Sequence, residues 1–176
     1  MRLFYALRPT DSALDNLIYI QDTLANQFTQ GRFLARNLLH CTLVFLGDKK
    51  EQDLPSLEGI LNQLPATPRF LIPSVLTSFH SAKGRTVVLT LKKNTELMEL
   101  QKKLSQLLIH QEHHLEKRAF HPHITLAKHV FVPTDWQEHL FPNEPLAVHS
   151  LALLNSKMDQ QGLLHYQILS EIRTKP

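Results

Sequence analysis

"LLHCTLVFLG" (residues 38–47) and "FHPHITLAKH" (residues 120–129) each set His-x-Thr-Leu inside an apolar run. Successive side chains of a β-strand point to opposite faces. His40 and Thr42 therefore share one face, while Cys41 and Leu43 point the other way into apolar packing. His123 and Thr125 stand in the same relation to Ile124 and Leu126. One histidine in an apolar strand is usually a core residue whose ring finds a hydrogen bond, and Thr is simply a good strand former. Packing, however, does not call for both residues twice.

The text around the two motifs also repeats. His40 and His123 are 83 residues apart, as are Arg2 and Arg85. At the same offset Leu14 falls on Leu97, Leu17 on Leu100, Leu24 on Leu107, Thr42 on Thr125 and Leu43 on Leu126. "RLFYALR" (residues 2–8) reads as a strand stopped by Pro9, and Thr10 can cap a helix carrying Leu14, Leu17, Ile18, Gln21, Leu24, Ala25 and Phe28, with Gly31 as its stop. "RTVVLTL" (residues 85–91) restarts the plan, and Asn94 can cap a helix carrying Leu97, Leu100, Leu104, Leu107 and Leu108. Strand, helix and His-x-Thr strand thus occur twice in one register. A solenoid needs at least three short repeats, so two long ones point to two lobes about a pseudo-twofold axis.

The remaining text fills out the lobes. A helix is expected over residues 54–64. The strand-like stretch 69–80 is broken by Pro73, which predicts an edge or a bulge. "LAVHSLALLNS" and "LLHYQILSEIR" close the chain as two strands joined by a turn near residues 159–162. The expected fold is α+β: two pseudo-symmetric lobes of mostly antiparallel sheet with outer helices and an active-site cleft between them. Residues 1–176 form one domain, with an internal duplication of about 2–47 and 85–130.

Composition narrows the function. A chain of 176 residues can bury roughly 70% of its unfolded surface without staples. Its 43% hydrophobic and 20% charged content is that of a globular protein. A formal charge of +3 suits an anionic ligand but sets up no strong nucleic-acid field. Cys41 is the single cysteine, so neither a disulfide nor a cysteine zinc site is expected. With neither a signal peptide nor an apolar run approaching 18 residues, a soluble, cytoplasmic, monomeric protein is the expectation, with no membrane contact. The absence of a P-loop and of GxGxxG argues against nucleoside triphosphatases and dinucleotide enzymes.

Two His-x-Thr faces meeting across a twofold axis would offer a proton donor, a proton acceptor and two hydroxyls for anionic oxygens. In-line displacement at a phosphodiester needs that set, with a base on the incoming water and an acid on the leaving oxygen. A metal site is the chemical rival, since His121 and His123 share a face and His113 and His114 lie nearby. No carboxylate stands at ligand spacing, and the first motif has no second histidine, so no metal or other cofactor is expected. Strand alternation turns Cys41 away from His40, which disfavours a thiol nucleophile. His110, His113 and His114 are expected at the solvated end of a helix.

These motifs, with "RLFYAL", "NLLHCTLVFLG", "GRTVVLTL", "AFHPHITLAK" and "LNSKMDQQGLLHYQIL", resemble the two-histidine (2H) phosphoesterase superfamily. In particular the chain is similar to its bacterial RNA 2′,3′-cyclic phosphodiesterase branch, also called the 2′-5′ RNA ligase family. The family commonly has Asn-Leu-His ahead of the first motif, where this chain has Asn37-Leu38-Leu39-His40. The resemblance implies hydrolysis of RNA 2′,3′-cyclic phosphate ends to 2′-phosphomonoesters, with His40 as general acid and His123 as general base. It also implies ATP-independent 2′-5′ ligation as a reverse activity, and RNA ends such as those of tRNA fragments as partners. Thr42 and Thr125 would bind phosphate oxygens. Phe4 and Phe120 are candidates for stacking on a base or ribose, with core packing the alternative, and Arg85 and Lys128 for positive charge at the cleft rim, with solvated strand ends the alternative. Other readings are a phosphodiesterase for another cyclic nucleotide or ADP-ribose cyclic phosphate, and a non-catalytic RNA-end binding module.

Overall fold

The computed structural model describes residues 1–28, 30–133, 135–140 and 144–175. In chain order the elements are β1 (Arg2–Pro9), α1 (Asp11–Ala25), β2 (Arg32–Phe33), β3 (Cys41–Asp48), α2 (Leu54–Leu61), β4 (Phe70–Leu71), β5 (Pro73–Ser81) and β6 (Gly84–Leu91). They continue with α3 (Thr95–His110), β7 (His123–Val130), β8 (His139–Leu140), β9 (Leu146–Met158) and β10 (Leu164–Arg173). The expected capping is present. Thr10 Oγ1 accepts from the Ala13 amide at 3.4 Å, and Asn94 Oδ1 from the Leu97 amide at 2.9 Å. Each satisfies a first-turn donor that the helix itself cannot.

The strands form one antiparallel path, β10-β9-β1-β3-β7-β6-β5-β8. The two expected lobes therefore join edge to edge, β10-β9-β1-β3 on one side and β7-β6-β5-β8 on the other. Pro73 marks a change of partner: β4 before it pairs with β9, and β5 after it pairs with β6. The proline cannot donate to either ladder there.

Helices α1, α2 and α3 lie on one face of the sheet. Their apolar stripes (Leu17, Ile20 and Leu24; Leu57, Ile60 and Leu61; Leu97, Leu100, Leu104 and Leu108) share one core with Leu3, Tyr5, Leu7, Leu89, Ile124 and Leu126. Truncating such a fully buried leucine to alanine typically costs about 2–5 kcal/mol. The Tyr5 hydroxyl donates to the Leu57 carbonyl at 2.6 Å, fixing α2 to the sheet. The opposite face carries a small second cluster of Phe4, Ala6, Ala152 and Leu154, with Tyr166 packed against it.

Among the described residues, Cys41 with Ile124 is the only ladder pair between β3 and β7. Past it the strands part, and β2 takes over as the neighbour of β7, with Arg32 opposite Lys128 and Phe33 opposite Ala127. The seam is braced from the helix side. α1 of the first half contacts β7, and α3 of the second contacts β3. The buried Gln21 spends both amide hydrogens across the gap, donating to the Leu34 carbonyl at 2.9 Å and to the Leu126 carbonyl at 2.8 Å. Gly31 lets the chain turn from α1 into β2. Its φ is +122°, and a Cβ there would stand 2.4 Å from Val130 Cγ1, so no other residue fits.

The ladder also refines the offset between the halves. Leu7 pairs with Cys41, and Leu89 pairs with Ile124. Leu7 thus corresponds to Leu89, 82 residues on, whereas the motif strands keep 83. A slip of one residue exchanges the two faces of a strand.

Candidate active site

The single pair across the seam arranges the motif side chains. With Cys41 opposite Ile124 in an antiparallel ladder, His40 sits across from Thr125 and Thr42 across from His123. Cys41 and Ile124 point into the core and are both fully buried. The two imidazoles and two hydroxyls therefore form a square on the helix-free face, histidines on one diagonal and threonines on the other. Burial pushes the Cys41 thiol up to about 12, a state with no thiolate character.

Each imidazole is fixed through Nδ1. His40 Nδ1–H donates to the Leu38 carbonyl at 2.7 Å, and His123 Nδ1–H to the His121 carbonyl at 2.8 Å. A carbonyl can only accept, so the neutral rings carry their lone pairs on Nε2. Both Nε2 atoms are thereby the acceptor nitrogens of the neutral rings, and that of His40 meets the Thr42 hydroxyl. His121 contributes to this arrangement through its carbonyl. His113, a candidate metal ligand by sequence, faces Lys49 Nζ at 3.4 Å instead. Among the described residues no three of His, Cys, Asp and Glu come together in a way that could hold a metal ion.

The two histidines differ in their surroundings. The His40 ring lies 5.1 Å from the Phe4 ring and 5.2 Å from that of Tyr166, and its Nε2 accepts from the Thr42 hydroxyl at 2.9 Å. Burial lowers its pKa to about 4; the Leu38 carbonyl pulls the other way, while the charges of Lys128 and His123 lower it further. The His123 ring meets Phe79 edge-on at 6.3 Å, and Phe79 is half-exposed.

The other predicted residues divide. Phe4 stands against His40, and Lys128 is half-buried close enough for its charge to act on that ring. Burial and the neighbouring Arg32 and Arg2 all lower the Lys128 pKa. Arg2 lies over the Phe45 ring at 5.1 Å, and its charge and that of Arg32 also reach Tyr166. Among the described residues none of these three cations has a carboxylate at ion-pair distance. Phe120, by contrast, packs against the main core. Arg85 is not brought to the site either. It corresponds to Leu3 in the first half, and its Nε donates to Ser78 Oγ at 2.8 Å on the helix-facing side of the sheet. The one-residue slip between the first strands accounts for this, since the uniform offset had set Arg85 beside Arg2.

Tyr166, Phe79, Arg2 and Arg32 escaped the sequence reading as site residues. Tyr166 arrives from the far end of the chain through the β10–β9–β1 ladder, where Tyr166 faces Ser156 and Ser156 faces Arg2. No local pattern announces that register. The extra residue at Leu39 is buried and follows a single 3₁₀ turn over Arg36–Leu38.

Comparison with known proteins bears on the whole arrangement. The family model for the 2′-5′ RNA ligase superfamily matches residues 19–160. An RNA 2′,3′-cyclic phosphodiesterase of Bacillus subtilis (strain 168) is 34% identical over 94 residues, which are 51% of this chain and 50% of that protein. A protein of the same name from Thermotoga maritima is 24% identical over 178 residues, covering 97% of this chain and 94% of its own. The crystal structure of TT0787 of Thermus thermophilus superposes with a TM-score of 0.82 at 22% identity, covering 98% of this chain and 97% of that one. E. coli LigT complexed with 3′-AMP does so at 0.77 and 23%, covering 99% and 98%. The structural likenesses establish the fold, and the family match runs through both His-x-Thr motifs: the chain belongs to the 2′-5′ RNA ligase superfamily.

Proposed function

We propose that this chain is a phosphodiesterase that opens 2′,3′-cyclic phosphate ends of RNA to 2′-phosphomonoesters, using two histidines and no metal. The observation that carries the reading is the His40–Thr42–His123–Thr125 square with Nε2 the acceptor nitrogen of both neutral rings. The B. subtilis and T. maritima relatives bear the name of that activity. In the single 2H domain proposed here, residues 2–47 and 85–130 supply one half of the square each.

The reaction follows from the geometry. The cyclic phosphate lies between the histidines, with its free oxygens on the Thr42 and Thr125 hydroxyls. Water enters on the His123 side and gives a proton to His123 Nε2 as its oxygen bonds to phosphorus. The P–O3′ bond opposite breaks, and His40 Nε2–H protonates the departing O3′. The family order assigns His40 the acid role, and its hydrogen bonds to the Leu38 carbonyl and Thr42 support a route for the proton. Protonation at Nε2 reverses the bond to Thr42, so the threonine hydrogen becomes free for a phosphate oxygen. In the free protein His40 is neutral; the anionic substrate draws in the proton that is then delivered. If a 5′-hydroxyl attacks the cyclic phosphate in place of water, the P–O3′ bond breaks in the same way and the same groups form a 2′-5′ linkage.

Phosphorus NMR of a cyclic-ended oligonucleotide treated with the protein in excess EDTA tests the reading. The expected spectrum shows the 2′-phosphomonoester alone. A 3′-phosphate would mean that the site holds the ribose the other way round, and activity lost to EDTA and restored by zinc would replace this mechanism with a metal-dependent one.

A further inference from the structure

A glutamine inside a buried apolar stripe needs a reason. Gln21 is 5% exposed, and the other buried residues of α1 are Ala13, Leu17, Ile20 and Leu24. The helix of the second half, α3, buries leucines alone: Leu97, Leu100, Leu104 and Leu108. Packing a helix on this sheet therefore does not call for an amide, and burying one is costly unless its hydrogens are paired. Both hydrogens are paired, one to each half of the molecule. We propose that Gln21 is a positioning residue for the reaction: its amide sets the angle between the two halves, and with it the place of the Thr125 hydroxyl beside the bound phosphate. The inference rests on the cyclic phosphodiesterase reading and deepens it.

The need for such a tie lies in the seam. Cys41 with Ile124 is the only β3–β7 ladder pair among the described residues. One pair fixes a point and leaves a rotation about it. Thr125 is the next residue, and a turn about the pair carries it toward or away from His40. β2 adds two pairs to β7, but a two-residue strand follows whichever partner holds it. Gln21 removes that freedom. The Leu126 carbonyl lies two residues beyond Ile124, about 7 Å along the strand. It accepts from Gln21 Nε2 at 2.8 Å and from the Leu34 amide at 2.9 Å. The Leu34 carbonyl takes the second Gln21 hydrogen at 2.9 Å.

One side chain of α1 thus holds the end of β2 and the backbone of β7 together, and Thr125 is fixed on both sides. Arg36 also links this segment to α1, through Asp15 and Asp11, but these groups are exposed and such pairs contribute little. A methionine in place of Gln21 would fill nearly the same space and donate to neither carbonyl.

The test is a double-mutant cycle on hydrolysis of an oligonucleotide with a 2′,3′-cyclic phosphate end. Gln21→Met should lower kcat/KM by about 10–100-fold, the scale of an ångström's misplacement among reacting groups. Combined with Thr125→Val it should cost little more than the worse single change, because the hydroxyl it positions is already gone. Combined with Thr42→Val, on the same half as α1, the two losses should multiply. A purely structural role behaves differently, since a smaller folded fraction multiplies with either partner. Multiplication with Thr125→Val, or a Gln21→Met protein as active as wild type, overturns the proposal. Should Gln21→Met not fold, Gln21→Asn keeps the amide but is one methylene short of bridging both carbonyls, and the same cycle applies. If the wild-type protein opens no cyclic phosphate, the phosphodiesterase reading itself fails. The positioning is then read from an NMR titration with inorganic phosphate: about tenfold weaker binding in Gln21→Met upholds it, and equal affinity overturns it.

Discussion

Filling the phosphate site should change the charge state of His40. In the free protein burial holds this imidazole at about 4, so at neutral pH it is uncharged. A phosphate oxygen bound between Thr42 and Thr125 brings a negative charge to within about 4 Å of Nε2, in a site where the effective dielectric constant is about 20. Coulomb's law then gives about 4 kcal/mol of attraction for the protonated ring. That corresponds to a factor of about 10³ in proton affinity, enough to carry His40 back across the neutral range. The perturbation is saturating adenosine 2′-monophosphate, the type of product proposed here, and the assay is an NMR titration of the His40 ring carbons or nitrogens. Without ligand the resonance should titrate well below the ordinary histidine range; with ligand it should titrate near neutrality. Kinetics should mirror this. The His40 limb should lie at lower pH in kcat/KM, which reports the free protein, than in kcat, which reports the complex. A free-protein His40 that titrates like an ordinary histidine, or one that ignores the bound anion, refutes the reasoning.

Other outcomes follow from the same structure. Because the folded-state pKa of His40 lies below the unfolded value of 6.5, the folded protein binds fewer protons between the two, and stability falls as pH drops from about 6.5 toward 4. Urea titrations across that range should show up to about 3 kcal/mol of loss that His40→Asn removes; equal slopes in both proteins would exclude a buried neutral ring. His40→Ala and His123→Ala should each slow hydrolysis by roughly 10²–10⁴-fold. The double mutant should be far less impaired than the product of the two effects, while strict multiplication would mean the histidines serve separate steps. Arg2→Gln and Arg32→Gln should each flatten the log–log dependence of kcat/KM on salt by about 0.7, one single-strand phosphate contact apiece. Arg85→Gln, on the far side of the sheet, should leave that slope alone, and a slope that changes with Arg85 would contradict its placement.

What the sequence conveyed, and what it did not, divides along local and non-local lines. Alternation within one strand is enough to place His40 with Thr42 and His123 with Thr125, and capping residues with leucine spacing are enough for α1 and α3. The face of Arg85 was not accessible in this way. It depends on whether Leu7 corresponds to Leu89 or to Thr90, and only the ladder decides that. Tyr166 and Phe79 reach the site through pairings between strands distant in sequence. For the same reason the two-residue strands β2 and β8 could not be read, since nothing but pairing defines them. Phe120, an aromatic next to a motif, had two roles open to it by sequence, and it packs against the core.

The seam has a consequence for how one protein can hold an acid and a base made from the same residue type. Two imidazoles in equivalent settings have degenerate proton affinities, and neither has reason to be the one that keeps its proton. The Cys41–Ile124 pair creates that degeneracy, because it gives each histidine the same carbonyl partner two residues back and the same threonine two residues on. The outer strands lift it. β10 and β1 close an aromatic and basic wall over His40, while β5 gives His123 one half-exposed ring. A chain made of two identical halves could assemble the square but would leave the direction of reaction undecided. On the proposed mechanism, the divergence of the flanking strands would let substrate bind in one orientation, so that product chemistry would be written at the edges of the sheet while the reacting groups sit at its centre.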